Sequence, residues 1–431
     1  MGRKQQLAIA ILFFGLYLEF GFLTFFKKSL GLYWSPVAWM LGGLLTCGAG
    51  FYLMRSGLNQ LGSAEGKTRK FHQIIVLAIF TLGSLLCADI LSGVFASYPV
   101  DPKGSDIIPS LEFYVRRLLS GETVYKPLPF DGYEVNPTYF PLLWAPYIFS
   151  EVLHIDYRWT AYLVFLIALF LYHRRLWQQD LSLLEVILKA AIPFLLLVHY
   201  ILEDRESLGF AVELLPIGFY FLLTLSVFHR SKWIMAIGIL LCLLSRYAFT
   251  FWLPIYLLIF WIERGFKPVF QVSLSVLAGV LLLYVLPFLA KDWTIFTKGL
   301  AYYGKTAETQ WIRQKWQKPD ARPHHLQQGL SYSIYFYDFI DGPVEKRLKL
   351  NRIVHISACA LAAVIIFLLY LYYRKKELDH RLFLIIALKF YLLIFYGFFY
   401  VPFSYLFKLP TLLTLPILYH LKLSSKSSST I

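Results

Sequence analysis

The sequence predicts an all-α polytopic membrane protein, on three observations. Of its 431 residues, 58% are hydrophobic and 16% charged, whereas soluble domains are about half apolar and about a quarter charged. The apolar excess is gathered into blocks that approach the ~20 residues needed to cross a hydrocarbon core. The alternating strands of a membrane barrel are absent, and only helices or closed barrels satisfy backbone polar groups in lipid.

The blocks are residues 7–26, 33–54, 74–95, 183–201, 208–228, 269–290, 354–373, 382–400 and 405–421. Residues 233–245 and 247–262 read as a helix pair interrupted at Arg246. The "MGRKQQ" start resembles that of a signal peptide. The apolar run behind it exceeds the ~7–15 residues of such a segment and no small-residue cleavage site follows, so a retained first helix is expected. Cys47, Cys87, Cys242 and Cys359 all fall inside apolar runs without metal-ligand spacing, which points to neither disulfides nor zinc. The formal net charge of +15 is not read as a nucleic-acid signal, because no basic soluble domain or recognition motif accompanies it. Basic residues in a membrane protein mark cytoplasmic loops and meet anionic headgroups, so membrane lipids are the expected partners.

The short basic loops set a direction. Arg3/Lys4, Arg55 with Lys67, Arg69 and Lys70, Arg174/Arg175, Arg230/Lys232, Arg264/Lys267, Arg374–Lys376 and the lysine-bearing tail are assigned to the cytoplasm. Three loops, about 96–137, 202–206 and 291–350, then face outward. Residues 138–153 either span or fold back. Pro141 and Pro146 suit a re-entrant or interfacial piece, which leaves about twelve spans. No internal repeat stands out, and ionisable residues crowd one face. A transport path, which needs polar groups through the bilayer, is therefore disfavoured against a site at one surface.

The first outer loop contains "KGSDIIPSLEFYVRRLLSGETVY". Ile107, Ile108, Leu111, Tyr114, Val115, Leu118 and Leu119 repeat at helical spacing, and Glu112, Arg116, Arg117 and Ser120 lie opposite. A short amphipathic helix in the interface plane follows, with Gly121 as its stop. Ser105 or Asp106 can cap its start, and on residue chemistry alone capping is the leading role for Asp106. The chain then returns toward the membrane through a proline- and aromatic-rich connection ending near Tyr139. In the late outer loop Lys305, Arg313, Lys315, Lys318 and Arg322 interleave with Tyr302, Tyr303, Trp311 and Trp316. Such a surface suits an anionic phosphate and the apolar faces of sugars, and equally a bed of headgroups. His324 and His325 are the only adjacent histidines, and an imidazole can serve as a base near neutral pH. "EDRE" places Glu203, Asp204, Arg205 and Glu206 at a helix end, where a plain exposed cluster is the default.

The order of these features resembles the GT-C membrane glycosyltransferases, most closely glycosyltransferase family 87, the polyprenyl-phosphate-mannose-dependent mannosyltransferases. The residues that carry it are an outer-face Asp before a short helix, "L-x-G-x-x-x-Y" (Leu119, Gly121, Tyr125), "TYFPLLWAP", "LSRYAFTFWLPIYLLI", "FLAKDWTIFTKGLAYYGKTAETQW" and "QQGLSYSIYF". The resemblance covers about residues 74–337 and rests on loose motifs in sequence. Two helices precede the family's usual first one, so residues 1–72 read as an addition to a core of 73–431. Arg246 stands where a lysine is expected, and "YFPLL" has one proline where two are common.

The resemblance implies a GT-C fold and a polyprenyl-phosphate sugar donor. It implies transfer of a hexose, mannose in the first instance, to a lipid or glycan acceptor on the extracytoplasmic face of a bacterial inner membrane. It implies an inverting reaction with Asp106 as general base, His324 or His325 as its partner, and no cofactor beyond the lipid-linked donor; positive side chains can stabilise a leaving lipid monophosphate without a divalent metal. Arg205, Arg246, Lys305 and Arg313 become candidates for the leaving phosphate, and Glu203, Asp204, Glu206 and Tyr139 for the substrate. The alternatives are a polymerase or ligase using a pyrophosphate-linked glycan, and a non-enzymatic transporter or flippase.

Overall fold

The computed structural model describes residues 2–59, 62–314, 317–318, 320–375 and 378–423. Of the described residues 74% are helical, and among them the one sheet is a hairpin of Leu128–Phe130 and Tyr133–Val135. Among the described residues seven helices are long and apolar enough to cross a membrane: Arg3–Leu23 (α1), Gly31–Arg55 (α2), Gly66–Ser97 (α3), Leu183–Glu203, Phe266–Leu289, Val344–Tyr373 and His380–Gly397. This is an all-α, multi-pass membrane architecture.

The other apolar blocks form shorter or broken helices. The 208–228 block is split: its first residues end the short helix Arg205–Phe210, Ala211 is extended, and the helix over Leu214–Ser226 follows. The pair around Arg246 is interrupted as expected: Lys232–Leu243 ends, a 3₁₀ turn covers Tyr247–Phe249, and Leu253–Arg264 follows. The 405–421 block breaks into Ser404–Phe407, Lys408–Leu412 and Thr414–Tyr419. Pro410 and Pro416 sit in the first turns of the last two, where a missing N–H is harmless but a continuous helix would lose a bond.

Residues 141–153 meet Tyr157–Leu176 at 117°. The amphipathic helix Ile107–Leu119 (α4) covers them, with Tyr114 stacked on Trp144 at 5.7 Å. The apolar face of α4 is thus taken up largely by protein, while Leu118 and Leu119 at its end remain exposed. Across its rim Arg116 donates to Glu151 at 2.8 Å. The helix stops where expected: Gly121 has φ +70°, Glu122 N donates to Arg117 O at 2.8 Å and Gly121 N to Leu118 O at 3.1 Å. That is a Schellman closure.

The helices α1 and α2 pack closely. A Cβ on Gly15 would lie 2.7 Å from Gly42 O, so the small residues let the two backbones touch. The pair is fastened to the bundle by a fully buried ion pair. Lys389 Nζ donates to both Glu19 oxygens at 2.7 and 2.9 Å and to Pro410 O at 2.8 Å, and Thr46 Oγ1 donates to Glu19 at 3.1 Å.

The bundle has two chemically distinct ends. At one, Lys422 N donates to Leu58 O, Ala64 N to Gln178 O and Asn59 Nδ2 to Asp379 Oδ2. Arg175 and Arg381 lie over the Phe228 ring, and Arg230, Arg264 and His380 border one open cleft. The short basic loops meet there. The other end holds the long loops and a large cavity.

Candidate functional site

Arg158 builds the floor under the first loop. It is buried, and donates to Tyr98 O at 2.7 Å, Gly209 O at 2.8 Å and Phe95 O at 3.2 Å. Three backbone carbonyls from two distant segments are thereby satisfied by one rigid guanidinium fork. The end of α3 is drawn against residues 209–210, where Ser105 Oγ reaches Phe210 O at 3.4 Å. This sets the start of α4 at the rim of a cavity of about 1380 Å³.

Asp106 lines that cavity. It holds the N-cap position of α4, yet its side chain makes no capping bond; Ser105 Oγ accepts from Ile107 N at 3.3 Å instead. The capping role therefore falls to Ser105. Among the described residues the Asp106 carboxylate bonds only its own amide, and burial pushes its pKa above the ordinary carboxylate range.

Tyr139 lines the same space and is braced through its backbone: its carbonyl accepts from Tyr125 Oη at 2.9 Å and its amide donates to Tyr114 Oη at 3.4 Å. Trp144 Nε1 donates to Tyr125 Oη at 3.3 Å. Tyr125, the last residue of the sequence motif, thus holds the wall in place. Burial first, then the Asp106 carboxylate, push the Tyr139 hydroxyl up.

Two ion pairs stand further round. Arg246 pairs with the buried Glu213, and among the described residues its Nε has no partner. Lys408 pairs with Asp204 and lies 3.4 Å from the centre of the Tyr200 ring. On the Val344–Tyr373 helix, Arg352 and His355 both reach the cavity. Arg352 donates to Gly304 O at 2.7 Å over the Tyr400 ring, leaving its Nε unpartnered. His355 is 6% exposed with an unpartnered Nε2.

His324 and His325 complete the wall. His324 Nε2 contacts Gln328 Nε2 at 3.2 Å. Among the described residues the buried Nδ1 of His325 has no partner, and burial, then His324, hold its imidazole below the usual range. At neutral pH this histidine is therefore uncharged and able to take a proton.

The structure brings together Asp106, Tyr139, Asp204, Glu206, Arg246, His324 and His325 around one cavity. It leaves out four other candidates. Glu203 and Arg205 are exposed outside the wall. Lys305 is exposed on its helix, because Tyr302, Tyr303, Thr306 and Gln310 take the inward face. Arg313 is turned back on its own loop, donating to Gln317 O at 2.7 Å and Lys318 O at 3.4 Å. Lys315 and Trp316 lie outside the described residues. Arg322 is held by Asp338, and Trp311 is buried with its Nε1 on Tyr400 O.

Lys27, Lys28, Glu213, Arg352, His355 and Lys408 were not singled out in the sequence. Glu213 and Lys408 carried a signal, since a lone charge inside an apolar block marks a site or its support. Arg352 and His355 lie just past the expected loop end. Among the described residues no three His, Cys, Asp or Glu side chains come together in a metal-binding group.

No known family model, curated protein or solved structure matches this chain.

Proposed function

We propose that the chain is an integral membrane glycosyltransferase of GT-C type. It moves a hexose, mannose in the first instance, from a polyprenyl-phosphate donor to a lipid or glycan acceptor. The observation that carries this reading is Asp106: a half-buried carboxylate, free of its capping duty, faces a cavity larger than a typical small-molecule pocket. Cations and aromatic rings surround it, which suits a phosphate and a sugar face together.

In the reaction, Asp106 takes the proton from the acceptor hydroxyl as that oxygen attacks the anomeric carbon. The anomeric carbon–phosphate oxygen bond breaks and the lipid monophosphate leaves with the electron pair, inverting the centre. The developing positive charge on the sugar is that of an oxocarbenium ion. Arg352 and Arg246, each with an unpartnered Nε, are placed to stabilise the leaving phosphate. His325 offers an uncharged imidazole to relay the proton.

In this reading the chain makes about twelve passes, counting the shorter helices and the broken 404–421 segment beside the seven long ones, with 141–153 folding back at the cavity end. The basic end is then cytoplasmic and the cavity extracytoplasmic, in an inner membrane. The test is transfer from radiolabelled polyprenyl-phosphate sugars to membrane lipid extract. Transfer by the wild type and its loss in a folded Asp106→Asn variant is expected; full activity of that variant removes Asp106 as the base.

A further inference from the structure

The turn between α1 and α2 is a wall of the cavity, which it lines with Phe25, Phe26, Lys27 and Lys28. Both lysines are half-buried, and among the described residues neither ammonium group has a hydrogen-bond or ion-pair partner. Adjacent ammonium groups drawn from water without a counter-ion lose hydration and repel each other. Burial, then Lys27, hold the Lys28 ammonium down to about 8. Lys408, which feels the charge of Lys27, is already paired with Asp204.

The turn is rigid rather than a loose surface arm. Thr24 Oγ1 donates to Phe20 O at 2.8 Å and meets His199 Nε2 at 3.0 Å; the Phe25 ring lies 4.2 Å from the His199 ring; Phe26 N donates to Gly21 O at 2.8 Å. The Glu19–Lys389 pair fixes α1 beneath it. Phe25 and Phe26 are themselves 59% and 38% exposed. Apolar rings beside unpaired cations match an amphiphile whose chain stays in lipid while its anionic head enters the cavity.

We infer that Lys27 and Lys28 hold the phosphate head of a polyprenyl-type lipid, so that the N-terminal helix pair is a working wall of the site. The identity of that lipid as the sugar donor rests on the transferase reading; the binding site itself does not.

The test uses the full-length protein in phosphatidylcholine nanodiscs, with polyprenyl monophosphate, phosphatidylglycerol and inorganic phosphate as separate probes. Saturable binding of polyprenyl monophosphate is expected. It weakens ~10- to 100-fold in Lys27→Gln/Lys28→Gln, the effect of losing charge-assisted bonds to a phosphate. Lys27→Arg/Lys28→Arg, which keeps the charge, retains it. Equal binding by the wild type and the glutamine variant overturns the inference, as does no binding by the wild type. A lysine dependence confined to inorganic phosphate or to phosphatidylglycerol overturns it too, by assigning the pair to a free anion or a bulk headgroup. Sugar transfer is read on the same samples. Lysine-dependent binding without transfer in the wild type sinks the transferase reading and leaves the lipid site standing. Transfer with lysine-independent binding sinks the site alone.

Discussion

Asp106 shows how a residue at a helix start is released for other work. Ser105 accepts the Ile107 amide hydrogen at the start of the helix, and the aspartate, which makes no capping bond, is left half-buried over the cavity with no described neighbouring side chain to stabilise its charge. Its folded pKa is raised, so ionising it disfavours the fold. The penalty is absent below the ordinary value of ~3.9, grows as pH rises through the interval up to the raised folded value, and is full above it. Asp106→Asn is therefore expected to raise the melting temperature at neutral pH and not at acid pH. The same substitution should lower kcat by ~10²- to 10⁴-fold if Asp106 is the base. In the wild type the acid limb of kcat/KM should lie above the ordinary aspartate range. A neutral-pH melting temperature lowered by Asn would show a structural role instead. The sequence offered both roles for this residue; it could not choose, because the choice depends on where two neighbouring side chains point.

Among the elements, the α1–α2 pair departs most from its reading in sequence. The apolar blocks located both helices, but nothing in their order told that the turn between them would reach a cavity built by residues far along the chain. Glu19 and Lys389 are lone charges in separate apolar blocks, and their meeting is a tertiary event. Glu19→Gln should destabilise the bundle by roughly 3–5 kcal/mol, the scale of orphaning one member of a buried pair. Glu19→Met/Lys389→Met should recover most of that loss, as read by thermal unfolding in detergent. Gly42→Val should weaken α1–α2 packing, since even a Cβ there would meet Glu19 N at 2.8 Å. The element best foreseen is α4: its amphipathic repeat, its span and its glycine stop are local properties. What covers its apolar face is not, and the Trp144 segment does so.

At the scale of the whole molecule, charge is sorted by end. Ser56, Ser231 and Gly265 flank the basic cleft, whereas Ser29 and Ser120 lie at the cavity end. Single cysteines at Ser56 or Ser231 should react with an impermeant thiol reagent from one side of the membrane only, and those at Ser29 or Ser120 from the other. The four native cysteines are buried and should give little background. Labelling of both groups from one side would rule out the proposed alternation. The sequence by itself determined the helical membrane class, the position of each apolar block, the break at Arg246 and the amphipathic loop helix. All of these follow from composition and periodicity within a few turns of chain. Only the tertiary structure decided which charges share a cavity. It removed Glu203, Arg205, Lys305 and Arg313 from the wall and added Lys27, Lys28, Arg352 and His355. The reason is physical: a helix presents one face inward, and which face that is depends on partners hundreds of residues away.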